Sequence, residues 1–115
     1  MPIPPKIANL IEQLHQEINQ TEQAVTEGLQ IARLKLNSFP DNSFLIQIYA
    51  SLSNYLVFIE ISRRRIDYSE VIVASEAVAE IQIQETGEML SEILGRVLEA
   101  KIVVNRIKIR LENWS

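Results

Sequence analysis

Glu12 and His15 stand one helical turn apart in EQLH (12–15). Glu-x-x-His is the half-motif that, repeated on two helices, holds the metal ions of carboxylate-bridged bundles. That chemistry needs a carboxylate and an imidazole on an inward helix face, and it needs the motif twice. His15 is the only histidine in the chain, so only a homodimer could supply the second copy, with Glu60 as a further carboxylate. Ile11, Leu14 and Ile18 mark the inward stripe of this segment, which puts Glu12 and His15 on its flank. The pair is read as a solvated helix surface, and neither a metal nor a cofactor is expected.

Other routes to catalysis are poorly supplied. Glu12, Glu17, Glu22 and Glu27 recur every fifth residue, a spacing that winds around a helix and builds no single acidic face. There is no cysteine, hence no thiolate nucleophile and no thiolate metal site. No glycine-rich phosphate loop or nucleophile elbow is present. No histidine follows any arginine, which excludes the Arg-x-x-x-x-His arrangement of some helical ribonucleases. The expectation is a protein that is not an enzyme.

Arg63, Arg64 and Arg65 are the strongest pointer to nucleic acid. Three consecutive helical positions fan across about 200°, so they cannot all follow one phosphate track. If the chain folds back at Pro40, residue 64 comes near residue 17, and Glu12 and Glu17 become the natural partners of the arginines. Such a girdle adds little energy but sets helix orientation. The alternative is a phosphate- or nucleic-acid-binding patch on Arg63–Arg65, extended by Lys101, Arg106, Lys108 and Arg110. The net charge of −4 supplies no general attraction to polyanions.

The elements that must position these residues read as helices of one domain, residues 1–115. Hydrophobic residues make up 47% of the chain and charged ones 23%, the balance of a folded globular protein. Asn42 to Ile59 is uncharged but contains Ser43, Gln47, Ser51, Ser53 and Asn54. Its apolar members Leu45, Ile48, Leu52, Tyr55, Leu56 and Ile59 follow steps of three and four, the rhythm of a core-facing helix. A span needs about 20 predominantly apolar residues, so a membrane is not expected. The N-terminus has no apolar stretch behind a basic start, and a cytoplasmic protein is expected.

Ile7, Ile11, Leu14, Ile18, Val25, Ala32 and Phe39 give the first helix its stripe. Pro40 stops it, and Asp41, Asn42 or Ser43 can cap the next. No glycine or proline occurs from Asp41 through Thr86, which disfavours the hairpins a β domain needs. In the last segment Leu90, Ile93, Val97, Ala100, Val104, Ile107, Leu111 and Trp114 keep heptad order. The sequence therefore predicts an all-α antiparallel bundle of three long helices with coiled-coil-like packing. The break between the second and third is placed near Gly87; a further break at Ile66–Glu70 would make four shorter helices.

Five apolar residues are left over. Leu98, Ile102 and Ile109 lie opposite the heptad row of the last helix, and Val57 and Ile61 do the same on the middle one. A helix apolar on both sides is buried on both sides. In a three-helix bundle the second cover is another subunit or another protein. Acids gather between Asp67 and Glu92 and bases between Arg96 and Arg110. Two last helices paired antiparallel about Gly95 would thus set Glu80 near Arg110 and Glu88 near Lys101 or Val103. A self-associating interaction or scaffold protein, a dimer that docks a protein partner, is the functional expectation.

Overall fold

A computed structural model describes residues 3–75 and 77–114. Over these residues the chain is three helices with no strand: α1 Pro5–Ser38, α2 Ser43–Ala74 and α3 Glu80–Glu112. They pack side by side into a rod of 57 × 18 × 16 Å, a length that follows from about 1.5 Å of rise per helical residue. The course is up, down, up. α1 is antiparallel to α2 and parallel to α3, and it is the helix most fully engaged by both neighbours.

Local chemistry fixes the ends. Pro5 occupies the first turn of α1, where its missing N–H costs nothing. Phe39 precedes Pro40, and its φ of −133° and ψ of 66° take it out of helical geometry, as the residue before a proline requires. The Asn42 side chain then accepts from the Leu45 N–H at 3.1 Å, the expected N-cap of α2.

The α2–α3 break falls between Ser75 and Ala79, not near Gly87. Gly87 lies inside α3, 3.8 Å (as a built Cβ) from the Ile7 side chain. The reason is bundle length. Register pairs His15 with Glu70 and Arg63 with Glu22, so the start of α1 at Pro5 faces a position near 80. A second helix running on to Gly87 would overhang α1 and bury nothing. At the turn Ala77 N–H donates to the Ser75 hydroxyl at 3.3 Å, and Ala79 N–H donates to Gln82 Oε1 at 2.9 Å, starting α3. α2 is unbroken through Ile66–Glu70, which excludes the four-helix arrangement.

The core is one continuous column. Leu14, Ile18 and Val25 of α1, Leu45, Leu52, Ile59 and Ile66 of α2, and Leu90, Val97, Val104 and Leu111 of α3 are almost completely buried. All but Ile66, which lies where a further break was considered, belong to the rows that the sequence spacing marked. Burying each such side chain contributes roughly 1.5–3 kcal/mol before conformational entropy is subtracted. At one end Phe39 meets Trp114 edge to face, with ring centroids 5.2 Å apart. Lys35 donates to the Trp114 carbonyl at 3.0 Å, its ammonium 5.5 Å from the indole centroid. Together these contacts tie the α1–α2 corner to the end of α3.

Candidate functional site

α1 carries acids on both flanks, and each flank is matched by bases on a different neighbour. On the α2 side, Arg63 grips Glu22 with two N–H···O contacts of 2.6 and 3.0 Å and donates to Asn19 at 2.7 Å. That hydrogen bonding holds the Glu22 carboxyl below its ordinary pKa, the Coulombic attraction of Arg63 helping and partial desolvation opposing. The same contact raises Arg63. On the α3 side, Lys101 bridges Glu17 at 2.9 Å and Gln20 at 2.7 Å, and Lys108 pairs with Glu27. The Lys108 and Gln23 contacts lower Glu27, and Glu27 raises Lys108.

This arrangement corrects two expectations. Arg63 has Glu22 as its acid, neither Glu12 nor Glu17, because residue 63 rather than 64 lies on the α1-facing side of α2. Lys101 and Lys108 are turned toward α1 and tied there, so they are not on the outer face where pairing between two last helices was drawn. Arg64 and Arg65 are exposed. Of the arginine run, one member is committed internally and two point to solvent.

His15 does have carboxylate company, but not the expected residues. Its Nε2 lies 2.7 Å from Glu70 Oε1 across the α1–α2 seam. Asp67, one turn before Glu70, brings a third donor atom, and all three lie within 4.8 Å of one another. Glu12 and Glu60 are exposed and lie outside this cluster. The spacing Asp67-x-x-Glu70 was visible in the sequence; its meeting with His15 needed the helix register.

The five leftover apolar residues are all at the surface: Val57 is 53% exposed, Ile61 50%, Leu98 36%, Ile102 55% and Ile109 56%. Ile46, Tyr68 and Val71 continue the α2 row, and they too are exposed. Sequence reading missed these three, although the successive steps of eleven, four, seven and three from Ile46 through Val57, Ile61 and Tyr68 to Val71 keep all five on one helix face. α2 is therefore a helix with two apolar sides. One 18-residue window of it has mean hydropathy 1.5 with 22% of its residues buried, so by length and composition it could cross a bilayer. On α3 the outer row runs Ser91, Gly95, Leu98, Ile102, Ile109. A Cβ added to Gly95 meets nothing within 4 Å.

Between α2 and α3, the least engaged pair, a shallow cleft of about 280 Å³ is lined by Asn54, Tyr55, Phe58, Arg96, Glu99 and Ala100. Nearer Pro40 along the same α2–α3 seam, the Arg110 guanidinium sits 5.2 Å from the centre of the Phe44 ring, a cation–π contact. The molecule is thus an up-down-up three-helix bundle in which Arg63, Lys101 and Lys108 tie its own seams while apolar residues overflow outward. No protein family, no curated protein and no solved structure matches the chain, so side-chain placement alone carries the functional reading.

Proposed function

We propose that this bundle is a non-enzymatic interaction protein that pairs with a second copy of itself through the outer row of α3. The observation that carries the reading is Leu98, Ile102 and Ile109 standing exposed at heptad spacing opposite a fully formed core row. Water-facing apolar side chains in a continuous stripe gain about 25 cal/mol for each Å² they bury. A second α3 laid antiparallel about Gly95 sets Leu98 over Ser91 and Gly95 of the other copy and Ile109 level with its exposed Ile81, a contact that repeats itself about the two-fold axis. Ser91 and Gly95, with no bulk above them, let the two helices approach. Glu80 and Glu85 of one copy then face the Arg106–Arg110 end of the other, and Glu88 lies level with its Ile102. The parallel apolar row on α2, Ile46, Val57, Ile61, Tyr68 and Val71, is the surface left for a helix of another protein.

Absolute mass by light scattering on a sizing column tests this. The proposal expects twice the 13.2 kDa of the chain, falling to the single-chain mass in Leu98→Glu/Ile102→Glu. A monomer at all concentrations overturns it, and so does a dimer indifferent to those two substitutions. Cosedimentation of the wild-type protein with phosphatidylcholine vesicles, together with monomeric mass, would instead make a bilayer the cover of the apolar rows. The cytoplasmic assignment belongs to this proposal and falls with it.

A further inference from the structure

His15, Asp67 and Glu70 form a donor cluster that spans the α1–α2 seam. We propose that it binds one first-row divalent cation, with Zn²⁺ the best-matched probe. The donors are one imidazole nitrogen and two carboxylate oxygens, one from each of three side chains, all within 4.8 Å of one another. An imidazole with carboxylates suits zinc, manganese or ferrous iron better than calcium, which takes oxygen ligands only, or copper(I), which prefers sulfur.

Geometry favours the set. Asp67 and Glu70 are separated by three residues on a continuous stretch of α2, so both carboxylates leave the same side of the helix. His15 reaches them from α1, and its Nε2 lies 2.7 Å from Glu70 Oε1. Ligands at ~2.0–2.1 Å from a tetrahedral zinc stand roughly 3.3 Å apart. The His15–Glu70 contact therefore has to open by about half an ångström, within reach of a small side-chain rotation. His15 and Glu70 are each about two-fifths exposed, 39% and 40%. A cation thus has an entry path, and its fourth position stays open to water. Three protein ligands with one open position is the coordination of reactive rather than purely structural zinc.

The cation would also explain an electrostatic asymmetry. Arg63 supplies the positive partner for Glu22 midway along the α1–α2 seam. Two turns further along α2, the ion-pair partner of Glu70 among the described residues is His15, which is cationic only when protonated, while Asp67 between them shares the attraction of Arg63. A bound divalent ion completes that end of the seam with the charge the side chains lack.

Titration of the metal-free protein with Zn²⁺ by calorimetry tests the proposal. One ion per chain is expected, with the affinity reduced at least tenfold in His15→Ala and in Asp67→Asn/Glu70→Gln. Glu12→Gln and Glu60→Gln are expected to bind as the wild type does. Far-ultraviolet circular dichroism confirms that each variant is folded, since all five positions lie at the surface or half-buried. A rise of several degrees in melting temperature on adding Zn²⁺, absent in His15→Ala, is the independent readout. Absence of binding overturns the proposal, as does equal affinity in His15→Ala, or loss of affinity in Glu12→Gln. Because mass is not a readout here, the outcome is separate from that of the self-association test.

Discussion

Arg63 on α2 holds Glu22 on α1 by both carboxylate oxygens, at 2.6 and 3.0 Å, with Asn19 as a third contact. The planar guanidinium matches the carboxylate fork, so this pair fixes the rotation of α2 against α1 as well as adding energy. The side chains are 31% and 38% exposed, and water screens much of the attraction. A double-mutant cycle of Arg63→Ala and Glu22→Ala in urea unfolding is expected to give a coupling of about 0.5–1 kcal/mol. The coupling should shrink in high salt. Arg63→Lys should recover less than half, because one ammonium cannot span both oxygens.

Acid should weaken the fold through the ion pairs on both flanks of α1. Glu22 and Glu27 both have folded-state pKa values lowered by their basic partners. A lowered value means the contribution is complete above the unfolded value, about 4.3, and is lost as pH falls through the folded one. Lys108 is raised, so its contribution is complete below its unfolded value and is lost only when strong alkali passes the folded one. Urea midpoints are therefore expected to be flat near neutrality and to fall below about pH 4.3. Glu22→Gln/Glu27→Gln should flatten that fall. An unchanged acid limb in this variant would assign it to other carboxylates.

The helices, the core rows and the leftover apolar residues were legible because each depends on period alone. Leu90, Ile93, Val97 and Leu111 recur at heptad steps, and so do Leu98, Ile102 and Ile109 on the other side. The α2–α3 turn was not legible. VIVASEAVAE contains neither glycine nor proline, and the break is dictated by where α1 begins rather than by any residue in the turn. The pairing of charges was half legible. Folding back at Pro40 brought the right regions together, but one residue along a helix turns a side chain by about 100°. The expected register set residue 64 against 17, whereas the structure sets 63 against 22, and that shift of four residues exchanged Arg64 for Arg63 and Glu17 for Glu22. The same shift hid the meeting of His15 with Glu70.

Two glycines should respond oppositely to alanine. At Gly28 an added Cβ would lie 3.0 Å from Leu52 Cδ1, so the fully buried Leu52 would have to shift within the core. Overpacking of this kind costs typically 1–3 kcal/mol, which exceeds the gain of about 1 kcal/mol that alanine brings to a helix interior. Gly95 meets nothing, so there the helix gain stands alone. Chemical unfolding at micromolar protein should place Gly28→Ala below the wild type and Gly95→Ala above it by about 0.5–1 kcal/mol. Stabilisation by both would mean that Leu52 repacks freely.

Reversing the bases of α3 should separate the inner seam from the outer face. Lys101 contacts Glu17, whose side chain is only 18% exposed, and Gln20. Lys101→Glu therefore sets two carboxylates against each other between α1 and α3. The expected result is a less stable chain, by about 1–3 kcal/mol, whose mass on the column is unchanged at concentrations where it stays folded. Arg106 is exposed on the outer side of α3, with no ion-pair partner among the described residues. Arg106→Glu/Arg110→Glu leaves every α1–α3 contact intact and places acid against the acidic half of a second α3. It should lower the mass toward a single chain, while unfolding measured at a dilution where the wild type is also monomeric loses only the exposed Arg110–Phe44 contact between α3 and α2, about 0.5–1 kcal/mol. The reverse pattern, with mass falling in Lys101→Glu and holding in the double variant, would move self-association off this face of α3.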